Sequence, residues 1–207
     1  MTPINLTPEK TLLGFLVRHG ELNRANIWDS WGNYRLSDEG IQSVEKAAQW
    51  LSFNKIGRVI SSDVPRAVET AQIIVNACNV ACPFDHTDPN LRPWMVAGFT
   101  GKTKTPELVE KFKYYLEHPD IPIPDGESLD QLDLRVQVIS QYLCSPYDGL
   151  PTVLAIHNSV IKAFMGLDDV KEVCDPGGVV CVYMTEKGEF EFDIVLGAIA
   201  DPTLGVS

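Results

Sequence analysis

Three short apolar runs punctuate the first three quarters of the chain: Leu12-Leu13-Gly14-Phe15-Leu16-Val17, Val59-Ile60 and Val153-Leu154-Ala155-Ile156. Continuous runs of this length, without alternation, are the pattern of strands covered on both faces, as in a parallel sheet. Between them the apolar spacing changes to the helical period. Ile41, Val44, Ala47 and Leu51 share one face, as do Ala67, Ala71, Ile74 and Cys78, with Pro65 tolerated in the first turn. Thr105-Pro106 opens a helix carrying Val109, Phe112 and Leu116, and Ser128 with Gln131 has capping-box spacing ahead of Leu132, Val136, Ile139 and Leu143. Val179 to Met184 and Phe190 to Leu196 flank Glu186-Lys187-Gly188 and predict a hairpin that closes the sheet. Strand and helix alternate, so the predicted class is α/β, a three-layer α/β/α sandwich around a mostly parallel central sheet.

No repeat or Gly/Ser linker divides the sequence, which predicts one domain over 1–207. The stretch 86–126 departs from the alternation, with Pro89, Pro93, Pro106, Pro119, Pro122 and Pro124 beside Trp94, Phe99, Tyr114 and Tyr115. It reads as an excursion over the sheet, a lid or the wall of a substrate pocket. Trp28, Trp31 and Tyr34 are expected at the entrance, opposite Trp94 and Phe99.

At 44% hydrophobic and 22% charged, the chain can bury a core. Its formal charge of −11 excludes general binding to nucleic acid or anionic membranes, so any phosphate site is a local basic pocket. Five cysteines, with Cys78 and Cys82 in neither a CxxC nor a zinc-like pattern, predict reduced thiols in a cytoplasm and no metal site.

Arg18-His19-Gly20-Glu21 follows the first apolar run, Ser61-Ser62-Asp63 ends the second with Arg66 in the next helical turn, and His157 with Asn158 and Ser159 ends the third. In an open parallel sheet the carboxyl ends of the strands share one crevice, so three distant segments are predicted to converge. Two guanidiniums and helix amino termini make that crevice an anion site, and a phosphoryl group is its natural occupant. A neutral imidazole there is a nucleophile able to accept the phosphoryl group.

Leu16-Val17-Arg18-His19-Gly20-Glu21 resembles the signature of the histidine phosphatase superfamily, also called phosphoglycerate mutase-like. Leu36-Ser37-Asp38-Glu39-Gly40, Ser61 to Ala71, Gly126-Glu127-Ser128 and Ala155 to Ile161 are similar to its later blocks, in the same order. The resemblance implies the phosphoglycerate mutase-like fold, His19 as the residue that becomes phosphohistidine, and Arg18, Arg66 and His157 as its phosphate-holding neighbours. It implies no cofactor and a small phosphorylated substrate or phosphoprotein as partner, and is compatible with a homodimer. Asn23 and Asn26 lie near the position of a phosphate-contacting asparagine, neither in the usual register. Ser62, Arg92 and Asn158 are further candidates for substrate contact.

One departure has chemical consequences. Leu91-Arg92-Pro93-Trp94 resembles a block that usually reads Leu-Arg-Glu, whose glutamate protonates the leaving group, and Pro93 has no proton to give. General acid catalysis is typically worth 10²–10⁴-fold, and a weakly basic leaving group needs it least. Two expectations follow: either the substrate is activated, or the acid comes from elsewhere, with Glu127, Asp63 and Asp125 as candidates. A metal-independent phosphatase acting on a phosphomonoester or phosphoramidate is the reading the sequence favours. A phosphate-binding regulatory module with little turnover and a phosphoglycerate-type mutase are the alternatives.

Overall fold

A computed structural model describes residues 10–23, 27–78, 81, 84–167 and 173–198. Six strands form one sheet in the order β3-β2-β4-β1-β5-β6: β1 (Lys10–Arg18), β2 (Arg58–Ser61), β3 (His86–Thr87), β4 (Thr152–Ile156), β5 (Cys174–Thr185) and β6 (Phe190–Ala198). β1 runs parallel to β4, and β4 and β3 run parallel to β2. β5 is antiparallel to both β1 and β6, so the predicted hairpin caps one edge. Gly188, at φ +78° with its N–H donating to Thr185 O, supplies the left-handed residue this turn requires.

The apolar runs alternate between two helical layers. Phe15, Val17, Val59, Val153 and Ala155 pack against α1 (Asp38–Leu51) and α2 (Pro65–Ala77), while Leu16, Ile60, Leu154 and Ile156 pack against α4 (Leu129–Val136), α5 (Val138–Cys144) and α6 (Asn158–Met165). This is the three-layer sandwich, in which each central strand is covered on both faces. No helix among the described residues is long and apolar enough to cross a membrane.

The local signals locate most helix starts. Ser37 caps α1, accepting from Gly40 N; Thr105 caps α3 (Pro106–Glu117); Ser128 and Gln131 form the capping box of α4. Three details differ from the periodicity. Gly40 and Ala48 join Val44, Ala47 and Leu51 on the buried face of α1, leaving Ile41 exposed. Cys78 lies just past α2, in extended conformation. The segment after Ser128 is two helices meeting at Gln137, which serves as the cap of both. The stretch 86–126 begins with β3, a strand too short to carry a period, and continues through a helical turn at Pro89–Leu91 and then α3.

Candidate active site

The carboxyl ends of β1, β2 and β4 meet as the strand-end argument requires. The His19 N–H donates to Ile156 O at the end of β4 (2.9 Å), and the Gly177 N–H donates to His19 O (3.2 Å), so the backbone of His19 is fixed between β4 and β5. A Cβ on Gly20 would lie 2.3 Å from Gly40 O, and one on Gly40 would lie 2.2 Å from Glu21 O. The glycines of the RHGE and LSDEG segments are therefore one feature, a backbone contact that docks the histidine loop on the first turn of α1.

The imidazole of His19 lies in hydrogen-bond contact with Gly20 O through Nδ1 (2.7 Å). With the proton on Nδ1, Nε2 carries the lone pair, and Arg66 Nε donates to it at 3.3 Å. His157 packs edge-on against His19 with ring centroids 5.1 Å apart. Arg18 Nη1 donates to Cys174 O (2.6 Å), holding the guanidinium at the start of β5. Arg66 is buried; its Nη2 donates to Ser30 O (2.5 Å), and its Nη1 lies 3.3 Å from both Gly32 O and Asp29 Oδ2.

These groups line a cleft of about 200 Å³ with Glu21, Asp29, Pro93, Lys104, Asn158 and Ser159 among its walls. The first turn of α6 contributes Asn158 and Ser159, so the positive end of that helix adds to the guanidiniums. Burial pushes the His19 imidazole down to about 3, helped by the charges of Arg66 and Arg18. The same causes, burial first and Arg66 second, hold His157 well below the ordinary histidine range. Both rings are therefore neutral at pH 7. His157 is 2% exposed with no hydrogen-bond partner for either ring nitrogen among the described residues. Such an orphaned polar group, beside two arginines, is complementary to a phosphoryl oxygen.

Of the residues singled out in the sequence, His19, Arg18, Arg66, His157 and Asn158 come together. Asn158 also accepts from Val173 N (2.9 Å), tying α6 to the start of β5. Others lie elsewhere. Asn23 is exposed and outside the cleft, and Asn26 lies outside the described residues. Ser62 is buried behind the cleft, accepting from Val64 N at the start of α2. Arg92 is committed to Asp63 through Nε (2.7 Å) and Nη2 and stacks over Trp31, so neither member of that pair faces the cleft. Asp125 sits in an exposed turn at φ +56°.

Glu127 is the main correction. Its carboxylate accepts from Arg135 Nε (2.9 Å), Arg135 Nη2 (2.5 Å) and Met95 N (2.9 Å), with the side chain 14% exposed and outside the cleft. Arg135 also donates to Asn90 O, Arg92 O and Pro93 O. Glu127 and Arg135 thus form a clamp that holds the 90–95 loop. Ser30 and Trp31 stitch the other side of the loop through bonds to Trp94 O and Pro93 O.

Two charged cleft residues carried no signal in the sequence. Asp29 and Lys104 arrive because the 102–105 loop pairs with the histidine loop: Ile27 bridges Thr103, and the Trp28 N–H donates to Lys102 O. Trp28 and Phe99 pack on each other and on Phe112, and Trp28, Trp31 and Tyr34 all lie outside the cleft, so the expected entrance divides into a packed cluster around Phe99 and an exposed Trp31. Among the described residues no group of three or more His, Cys, Asp or Glu side chains is placed to hold a metal ion.

A family model, that of the histidine phosphatase superfamily (branch 1), matches residues 15–168. The chain belongs to the histidine phosphatase superfamily. It is 33% identical over 157 residues to phosphoglycerate mutase-like protein 4 of Arabidopsis thaliana, covering 72% of this chain and 67% of that protein. To a probable phosphoglycerate mutase, GpmB, of Yersinia pestis (strain Pestoides F) it is 32% identical over 157 residues, 73% of this chain and 72% of the relative. The superfamily fold is equally evident in solved structures. A mycobacterial glucosyl-3-phosphoglycerate phosphatase superposes with a TM-score of 0.72 at 16% identity, over 92% of this chain and 99% of that one. Bacillus stearothermophilus YhfR does so at 0.74 and 21% identity, over 90% and 96%.

Proposed function

We propose that this superfamily member is a metal-independent phosphatase that works through a phosphohistidine. His19 Nε2 attacks phosphorus, the P–N bond forms as the bond to the leaving oxygen breaks, and that oxygen departs with the electron pair. Arg18, Arg66 and His157 hold the phosphoryl oxygens, and the first turn of α6 adds its dipole. In the second step water attacks phosphorus, the P–N electron pair returns to the ring, and inorganic phosphate is released. Asp29, a carboxylate ion-paired with Arg66 at 3.3 Å, takes the proton from that water. A carboxylate has lone pairs to accept a proton and none to give, so Asp29 can serve the hydrolytic step and not protonation of an alkoxide.

The observation that carries this reading is the contact of His19 Nε2 with Arg66 Nε, 3.3 Å apart beside a neutral His157. The mutase reading draws on the names of the sequence relatives, but returning phosphate to an alcohol calls for the acid–base group that Pro93 lacks. The test is acid-stable-versus-labile trapping of labelled enzyme during turnover. A base-stable, acid-labile phosphoryl group that disappears in His19→Ala together with turnover is expected; full turnover by His19→Ala would refute the mechanism.

A further inference from the structure

A hydroxyl group stands next to Pro93 in the wall of the cleft. Ser159 is half-buried there, two residues past His157 in the first turn of α6. Its Oγ accepts from the Trp94 N–H at 3.0 Å, which sets the hydroxyl against the backbone of the residue that follows Pro93. Further bonds hold that segment: Arg135 donates to Pro93 O (2.9 Å), Ser30 Oγ to Trp94 O (2.7 Å), and the Trp94 indole N–H to Glu127 O (2.9 Å). A hydroxyl accepts through its lone pairs and donates through its one proton. The Trp94 bond uses a lone pair and leaves the proton unspent, and among the described residues nothing accepts it. Asn158 and Ser159 also border a second, largely apolar cavity of about 510 Å³ between α3, α4 and α6, so this hydroxyl sits at the rim of the cleft.

Resting on the phosphatase reading above, we infer that Ser159 is a further catalytic residue, whose hydroxyl donates a hydrogen bond to the bridging oxygen of the phosphate ester. Negative charge develops on that oxygen as its bond to phosphorus breaks, and a donor already in place stabilises it without reorganisation. His19 Nε2 bonds to phosphorus, the P–O electron pair goes to the departing oxygen, and Ser159 shares its proton with that oxygen while keeping it. Solvent water supplies the proton that completes the alcohol or phenol. A serine hydroxyl is too weak an acid to give its proton away, so the enzyme keeps a preference for weakly basic leaving groups. Two other cleft residues compete for the role. Lys104 is exposed with its ammonium 5.3 Å from the centre of the Trp28 ring, and Glu21 is exposed with Oε1 accepting from the Leu22 N–H (3.3 Å). Among the described residues neither is hydrogen-bonded to the 90–95 loop, whereas Ser159 is fixed on it.

The test compares kcat/KM of the full chain for phenyl phosphate, whose leaving group is strongly basic, and 2,4-dinitrophenyl phosphate, whose leaving group is weakly basic, with phosphohistidine trapping run alongside. Ser159→Ala is expected to lose about 10²-fold on phenyl phosphate, the scale of one donor removed from developing charge, and less than about three-fold on the dinitrophenyl ester. Ser159→Thr, which keeps the hydroxyl, is expected to restore the phenyl phosphate rate to within about ten-fold of wild type. Lys104→Met and Glu21→Gln are expected to affect the two esters alike. An equal loss on both esters in Ser159→Ala shows that the hydroxyl only supports the Trp94 segment, and it overturns the assignment, as does selective loss in Lys104→Met or Glu21→Gln with Ser159→Ala behaving like wild type. Either result leaves the phosphatase reading intact. Absence of turnover with both esters and of labelled His19 in the wild-type chain overturns the phosphatase reading and this inference with it.

Discussion

Replacing Glu127 by Gln separates a catalytic acid from a structural clamp. The carboxylate accepts two hydrogen bonds from Arg135 and one from Met95 N, with the two side chains only 14% and 16% exposed. Glutamine keeps one acceptor oxygen, turns the other into a donor facing a guanidinium N–H, and leaves Arg135 without its counter-charge. Hydrogen bonds to charged groups are each worth roughly 1.5–3 kcal/mol, and removing one partner of a buried pair costs about 3–5 kcal/mol. Because the retained oxygen can still serve Met95 N and the Arg135 backbone contacts persist, a loss of about 3 kcal/mol is expected. For a chain of this length that corresponds to a fall of roughly 6–12 °C in Tm. Calorimetry or denaturant unfolding measures it, and the leaving-group dependence of kcat/KM over a series of aryl and alkyl phosphates provides the second reading. The clamp predicts a destabilised enzyme whose wild-type preference for weakly basic leaving groups is retained. Unchanged Tm, with activity down by the 10²–10⁴-fold that a general acid supplies and lost selectively for alkyl esters, would show that Glu127 is the proton donor after all.

Other outcomes follow from the same geometry. Arg66→Lys removes the guanidinium fork that links His19, Ser30, Gly32 and Asp29, and kcat/KM for an aryl phosphate is expected to fall about 10²-fold or more. Arg92→Ala, which breaks the partly exposed pair with Asp63 and the stack on Trp31, is expected to cost about 1–2 kcal/mol on unfolding and to change kcat/KM by less than about three-fold. Gly20→Ala forces a Cβ against Gly40 O at 2.3 Å, and urea unfolding is expected to show a loss of several kcal/mol. His19 and His157 have folded values depressed below the ordinary 6.5, so below about pH 6.5 the unfolded chain binds protons that the folded chain does not, and stability falls as pH drops toward 3. Each histidine contributes a slope of up to about 1.4 kcal/mol per pH unit in that window, and His157→Gln is expected to flatten the measured profile by up to that amount.

Much of the architecture is local in origin. Leu12 to Val17, Val59-Ile60 and Val153 to Ile156 read as doubly covered strands because both neighbours of each alternate residue are helices, and they occupy the sheet centre for that reason. Since a strand end fixes where the next few residues emerge, the convergence of Arg18, His19, Arg66, His157 and Asn158 also followed from sequence position. Where two faces compete, periodicity was less informative: Ile41 has helical spacing yet points outward, because Gly40 is needed for the contact with Glu21.

The remaining features depend on which residues meet across loops, and hydrophobic spacing does not encode that. Glu127 looks equally suited to acid catalysis and to ion pairing until Arg135, eight residues on, is brought within 2.5 Å by the turn into α4. Asp29 and Lys104 reach the cleft through pairing between two segments of irregular backbone, and the apolar cavity exists only where α3, α4 and α6 fail to fill the space between them. The sequence by itself determined the layers of the sandwich and the cations at its strand ends, because repeating burial and strand direction are properties of single segments. Only the tertiary structure decided which carboxylates line the cleft and where the apolar cavity lies, because both are set by the packing of segments far apart in the chain.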